Sequence, residues 1–265
     1  MTTLTPRVSD VCRVLEEDGT LAEAIPFEHR ARAVGDCVAR TALLRPGPWR
    51  ANAEPVGEGI GLLVLRGLLL RRVDVEGRLG AELLGEGDLL RPWQEDEHTT
   101  LPVTPAWRVI ESTRVAVLDE QFARRASRYP QLTGRLAGRA LQRSRYLAVN
   151  MAIVHQPRVD VRLRMVLWHL AARWGHVRND GVTLPLGLTH EVLADLVAAR
   201  RPTVTTALSE LAKHGLVDSL ASGWLLTGPP PGELLALHAL PSPFAAASRA
   251  DAYGQDATAH AHIRG

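Results

Sequence analysis

Residues 188–217 read Leu-Thr-His-Glu-Val-Leu-Ala-Asp-Leu-Val-Ala-Ala-Arg-Arg-Pro-Thr-Val-Thr-Thr-Ala-Leu-Ser-Glu-Leu-Ala-Lys-His-Gly-Leu-Val. Thr189 is placed to cap a helix that continues through Val192, Leu193, Leu196 and Val197 at helical spacing. A turn follows near Ala199 and Arg200. A second helix opens with Pro202 in its first turn, where a missing N–H costs little. Steps of four and three place Val204, Leu208 and Leu211 on its buried face, leaving Arg201, Thr205, Thr206 and Ser209 on the other. Gly215, after Lys213 and His214, is a natural helix stop. A second helix with a polar, basic N-terminus is what a DNA major groove accepts.

An ordinary helical hairpin would share this pattern, and the flanks separate the two readings. Downstream, Leu216–Leu220 and Trp224–Thr227 form two extended runs around an Ala221-Ser222-Gly223 turn. Upstream, residues 177–184 form a hairpin centred on Asn179-Asp180-Gly181. Before it, residues 160–174 form an amphipathic helix with Val161, Met165, Trp168 and Ala172 as its expected core positions. Helix, hairpin, helix, turn, helix, hairpin is the order of a winged helix-turn-helix.

Residues 158–228 resemble the DNA-binding domain of the Crp/Fnr family of bacterial transcription regulators. Leu188-Thr189, Ala194, the Arg-Arg-Pro-Thr-Val of 200–204, Leu208, Leu211 and Gly215-Leu216-Val217 carry the resemblance. It implies that Arg201 reads a base, with guanine O6/N7 as its partner. Thr206 stands where a longer basic residue is common. His190 and Thr203 match backbone-contacting positions, with Arg200 beside them in the turn. Pro202, Thr205 and Ser209 belong to the same exposed helix face, and Ser222 and Gly223 fall at the wing tip. The resemblance also implies an operator of pseudo-palindromic double-stranded DNA, a homodimer, and RNA polymerase as a further partner.

Upstream, Leu-Arg-Gly-Leu at 65–68, Leu-Gly-Glu-Gly-Asp-Leu-Leu at 84–90 and Thr-Arg-Val-Ala-Val-Leu-Asp at 113–119 resemble landmarks of the family's small cyclic-nucleotide-type β-barrel. The pattern itself supports strands. The apolar run 61–76 breaks at Gly67 and turns at Glu76-Gly77, the segment 79–90 carries a Gly85-Glu86-Gly87-Asp88 turn, and 107–118 reads as a strand pair. Residues 1–56 read as partly helical (Val11 to Glu17, Phe27 to Ala33) with a turn at 46–49. The expected class is therefore α+β. A barrel or jelly roll occupies 1–118, a dimerisation helix and hinge 119–157, the winged helix-turn-helix 158–228 and a tail 229–265. In the long helix, with Pro130 near its start, spacing puts Leu132, Leu136, Arg139, Ala140, Arg143 and Leu147 on one face. The resemblance makes that face the dimer interface.

The family's cyclic-nucleotide members place a Gly-Glu pair after the Gly-Asp strand, the Glu holding ribose and a later Arg the phosphate. Here Gly87-Asp88-Leu89-Leu90 runs into Arg91-Pro92-Trp93-Gln94, and Glu95, Asp96 and Glu97 follow with no Arg before Ala106. Consecutive carboxylates repel a phosphate, so DNA binding without cyclic nucleotide is expected, and Arg91 or Arg108 would serve only through a different loop shape. Two alternatives stand beside this reading: a regulator gated by another small molecule in the barrel, and a protein-interaction module with DNA secondary.

Composition bounds the rest. Two cysteines, Cys12 and Cys37, are too few for a disulfide scaffold or a four-ligand iron–sulfur cluster, and ten histidines show no ligand spacing. No cofactor or metal is expected. No apolar run reaches 18 residues, and a cytoplasmic location follows as the expectation. All basic residues but Lys213 are Arg; residues 1–118 hold 14 basic and 18 acidic side chains, whereas 119–148 hold seven Arg against Asp119 and Glu120. Positive charge thus gathers in the C-terminal half, where a phosphate backbone needs it. Enzymatic patterns fail: His190-Glu191 lacks a second His at position 194, Gly57-Glu58-Gly59-Ile60-Gly61 precedes a strand, and no nucleophile elbow or P-loop lysine occurs.

Overall fold

A computed structural model describes residues 7–50, 59–92 and 105–239. The acidic segment Glu95–Glu97, the rest of the cassette position and the tail beyond Ala239 lie outside these residues. The chain opens with β1 (Arg7–Arg13), α1 (Val14–Glu17), α2 (Gly19–Glu23), α3 (Phe27–Asp36), β2 (Val38–Leu44) and β3 (Gly47–Trp49). It continues through β4 (Gly61–Val75), β5 (Arg78–Leu84), β6 (Leu89–Leu90) and β7 (Ala106–Leu118), then α4 (Glu120–Ala126) and α5 (Pro130–Val154). The remainder is α6 (Val159–Trp174), β8 (His176–Arg178), β9 (Gly181–Leu184), α7 (His190–Leu196), α8 (Arg201–Lys213), β10 (Val217–Leu220), β11 (Gly223–Leu226) and α9 (Gly232–Ala239).

The chain packs as two compact units, Met1–Leu163 with Gly187–Glu210, and Arg164–Leu186 with Leu211–Gly265. The division passes through α6 and α8. The physical reason lies in α7, which rests on β5 and is tied to the first unit by Arg72–Asp195 at 3.3 Å and Arg108–Glu191 at 3.4 Å.

In the first unit an antiparallel sheet runs β1-β2-β7-β4-β5, with β3 on β7 and β6 on β4. Among the described residues it does not close on itself, so the expected barrel is an open jelly-roll-like sheet. Residues 107–118 form one strand rather than a pair, Val11–Arg13 are strand rather than helix, and 47–49 pair with β7. Helices on one face bury Leu63, Leu65, Ala116 and Leu118 with Leu21, Phe122, Leu132 and Leu136. The other face buries Leu62, Val64, Leu69, Val115 and Val117 with Trp49 and Trp107, whose rings meet edge-on at 5.8 Å.

The change from even to odd buried positions along β4 decides what lies on each face. Pairing to β7 shifts register between Val64 and Leu69. A single-residue slip turns every later side chain to the opposite face. Gly67 permits it: its φ is +103°, and a Cβ there would stand 2.5 Å from the Ser112 carbonyl. Beyond the shift, Arg71 lies on the same face as Leu69.

In the second unit the sheet order is β10-β11-β9-β8. Leu184, Val217, Trp224 and Leu226 are buried, as are Met165, Val166, Leu167, Leu170 and Ala171 of α6. Of the four expected α6 core positions only Met165 is buried; Val161 and Trp168 are half-buried and Ala172 is exposed. That helix is covered over a wider arc than a one-sided stripe, which period-based reading cannot see.

Candidate nucleic-acid interface

Local sequence builds the α7–turn–α8 motif. The Thr189 hydroxyl accepts the Val192 N–H at 3.3 Å, capping α7. Ala198 holds a left-handed φ of 49° in the turn, where the Arg162 guanidinium donates to the Val197 carbonyl at 2.7 Å and the Ala198 carbonyl at 3.3 Å. Arg162 therefore satisfies the carbonyls that α7 leaves open at its end. Sequence reasoning passed over it, since an Arg one turn into a helix carries no distinctive pattern. α8 then begins at Arg201, Pro202 in its first turn, and buries Val204, Leu208 and Leu211 as the spacing predicts. Gly215 ends it with a φ of 63°, and the Leu216 N–H donates to the Leu211 carbonyl at 3.0 Å.

Arg200, Arg201, Pro202, Thr203, Thr205, Thr206 and Ser209 are all exposed. Three hydroxyls bond back to their own helix: Thr205 donates to the Arg201 carbonyl (3.1 Å), Thr206 to that of Pro202 (3.2 Å) and Ser209 to that of Thr205 (3.1 Å). Their protons are thus held on the helix, and the hydroxyl oxygens of Thr206 and Ser209 keep acceptor capacity on the exposed face. Arg201 brings a fork of donors to the same exposed face. His190 is half-buried, with Nδ1 2.9 Å from the Thr205 hydroxyl. It therefore links α7 to the exposed face of α8.

Ser222 is exposed in the β10–β11 turn, but Gly223 is not at the tip. It is buried with a φ of 145°, and a Cβ there would overlap the Leu184 carbonyl. The close approach of β11 to β9 accounts for a glycine here.

The residues of the expected dimer face divide between core and surface. Leu132 and Leu136 are buried in the chain's own core. Arg139 donates to both Asp18 oxygens at 2.5 and 2.8 Å. Arg143 donates to both Glu82 oxygens at 2.6 and 2.8 Å. Burial pushes the Asp18 carboxyl up, but the Arg139 guanidinium, the Thr20 hydroxyl and the Leu21 N–H outweigh it and hold it below its ordinary range. Ala140 is exposed and Leu147 half-buried. One turn-face away, Ala137, Leu141, Ala148 and Met151 form an exposed stripe.

Asp195 of α7 is buried, and burial raises its carboxyl pKa while the Arg72 and Arg108 guanidiniums work against that rise. Arg108, one of two cations considered for a phosphate, is engaged with Glu191. Among the described residues no group of three metal-ligating side chains occurs, and no helix is long and apolar enough to cross a membrane.

Residues 161–227 match the model of the Crp-like helix-turn-helix domain. No curated protein matches the chain in sequence. Solved structures share the fold. A cyclic nucleotide-binding domain containing protein from Listeria monocytogenes EGD-e is 14% identical with a TM-score of 0.57, over 78% of this chain and 96% of its own. A CooA mutant from Carboxydothermus hydrogenoformans is 16% identical with a TM-score of 0.54, over 91% and 100%. FixK2 from Bradyrhizobium japonicum is 18% identical with a TM-score of 0.53, over 77% and 98%.

Proposed function

We infer that this chain, with a Crp-like helix-turn-helix over 161–227 and a fold shared along most of its length with the three structures above, is a DNA-binding transcription regulator of the Crp/Fnr type. The observation that carries this reading is the exposed polar face of α8, which lies within the matched residues. Arg201 reads guanine, Thr206 and Ser209 offer acceptors, and Arg200, Thr203, His190 and Ser222 contact phosphates.

The protein works as a cytoplasmic homodimer on a pseudo-palindromic operator, without catalytic activity, and RNA polymerase is a further partner. Ala137, Leu141, Ala148 and Met151 of α5 support the dimer. They recur at intervals of four, seven and three on a helix of 25 residues. Leu141 and Met151 are 65% and 64% exposed, large apolar areas left uncovered within one chain. The small Ala137 and Ala148 let a second helix approach closely. A second copy presenting the same stripe covers it with two-fold symmetry, matching two half-sites about 34 Å apart.

Operator selection from randomised DNA, followed by fluorescence anisotropy at fixed salt, tests the reading. A two-fold symmetric consensus bound far more tightly than random DNA is expected. Sequence-independent binding would refute it. Leu141→Asp is expected to give monomers by light scattering and to lose most operator affinity. A dimer unaffected by that change would refute the α5 seam.

A further inference from the structure

Val204, Ala207, Leu208 and Leu211 fix the buried face of α8. At about 100° per residue, the line opposite them runs through Pro202, Thr206 and Ser209, at intervals of four and three. All three are exposed. Arg201 and Thr205 lie to one side of this row and Thr203 to the other. From Pro202 to Ser209 the row is about 10 Å long, the length of about three base-pair steps.

The side chains of the row share one chemistry. Pro202 carries neither a side-chain donor nor an acceptor. The Thr206 hydroxyl donates its proton to the Pro202 carbonyl at 3.2 Å, and the Ser209 hydroxyl to the Thr205 carbonyl at 3.1 Å. The row thus offers the Pro202 ring, the Thr206 methyl and two acceptor oxygens, with both hydroxyl protons already placed. Thr205 is engaged on both sides, donating to the Arg201 carbonyl at 3.1 Å with its oxygen 2.9 Å from His190 Nδ1, so it joins α8 to α7 beside the row. Base pairs differ in what they ask of such a row. Guanine presents two major-groove acceptors, O6 and N7, which need donors of the kind Arg201 carries on the flank. Cytosine offers its N4 donor but no methyl, and leaves its guanine partner without a donor. An A·T pair presents the thymine C5-methyl and the adenine N6 amino group. An apolar group and a donor match a methyl and an acceptor oxygen, and Thr206 has both on one side chain.

We propose that the two base pairs next to the guanine read by Arg201 are A·T pairs, selected through their thymine methyls. One methyl packs on the Pro202 ring and the next on the Thr206 methyl, while the Thr206 and Ser209 oxygens accept from adenine amino groups. The Pro202 ring is fixed to the backbone, so this contact orders no side chain and carries no rotamer entropy cost. Pro202 sits in the first turn, where the missing N–H takes no bond from the helix. The proposal rests on the reading of α8 as the helix in the groove and adds to it what that helix selects.

The test uses the full chain and the operator selected from randomised DNA. Arg201→Ala identifies the guanine, as the base pair whose preference relaxes. The two pairs beside it, on the side toward which α8 runs, are expected to be A·T in either orientation. Each thymine there is then replaced by deoxyuridine, which removes the methyl and nothing else. Anisotropy at fixed salt is expected to show affinity falling about fourfold for one methyl in one half-site and about fifteenfold for the same methyl in both. Thr206→Ser keeps the hydroxyl and loses the methyl. It is expected to bring the thymine and deoxyuridine operators within about twofold at the thymine that Thr206 meets, and to leave the effect at the Pro202 thymine unchanged. Thr206 is exposed, so the variant should keep its melting temperature, which circular dichroism checks. G·C at these two pairs, deoxyuridine operators bound as tightly as thymine ones, or an undiminished methyl effect in folded Thr206→Ser would overturn the proposal and leave sequence-specific binding standing. Equal binding of all sequences would overturn the reading of α8 itself, and this proposal with it.

Discussion

Arg139→Ala separates a clamp within one chain from a contact between two chains. The Arg139 side chain is 16% exposed and that of Asp18 13%, and two charge-assisted bonds join them. Arg139 also donates to the Gly87 carbonyl at 3.4 Å and bonds Thr20, so it ties α5 to α2 and to the turn before β6. Truncation leaves the Asp18 carboxylate in a largely buried site with only the Thr20 hydroxyl and Leu21 N–H as donors. Removing one partner of such a pair costs about 3 kcal/mol or more, most of it the uncompensated charge. Urea unfolding at pH 7 should show that loss. Arg139→Ala with Asp18→Asn should recover a large part of it, because the stranded charge is gone. The pH dependence has a fixed sign. The Asp18 carboxyl titrates below its ordinary value in the folded chain. Its stabilisation is therefore present above the unfolded carboxyl pKa, about 3.9, and disappears as pH falls through the lower folded value. The gap between parent and Arg139→Ala should narrow in that acid window. A stability change under about 0.5 kcal/mol, combined with a weakened dimer on dilution, would refute the clamp and return Arg139 to the subunit seam.

Arg201→Ala should cost about 1–3 kcal/mol at the selected operator and relax preference at one base pair; full affinity with unchanged preference would displace α8 from the groove. Arg200→Ala should weaken all sequences about equally and flatten the logarithmic salt slope by about one unit, and a loss confined to one base pair would contradict a phosphate role. Gly223→Ala drives a Cβ into the Leu184 carbonyl at a left-handed φ, so it should destabilise the second unit by about 1–3 kcal/mol in hydrogen exchange at β9–β11; unchanged protection would refute the close-approach role. Cyclic AMP should give no saturable heat and leave operator affinity unchanged. Glu82 is held by Arg71 at 3.0 Å and by Arg143 through both oxygens, so it is tied within the chain. Micromolar binding that tightens DNA affinity would reverse this expectation.

The helix-turn-helix was legible because its determinants are local. Thr189, Pro202, Val204, Leu208, Leu211 and Gly215 act through capping, φ restriction and helical period, and each falls in the structure where spacing puts it. The Asn179-Asp180-Gly181 hairpin is legible for the same reason. The helix of α5 is legible, but the burial of Leu132 and Leu136 in the chain's own core is not. A 3.6-residue period shows that Leu132, Leu136, Arg139 and Arg143 share a side. It cannot show whether that side meets the chain's own core or a second copy.

What the sequence by itself determined is the C-terminal order of elements and the chemistry offered by α8, since both rest on interactions among residues a few positions apart. Only the tertiary structure decided where the arginines of the N-terminal half point. A register shift around Gly67 turns Arg71 onto the face of Leu69, and pairing across three strands sets it between Glu82 and Trp107, with Arg143 arriving from α5. A strand's side-chain period is two, so one slipped residue exchanges the faces, and that slip is fixed by partners 40 or more residues away along the chain rather than by its neighbours.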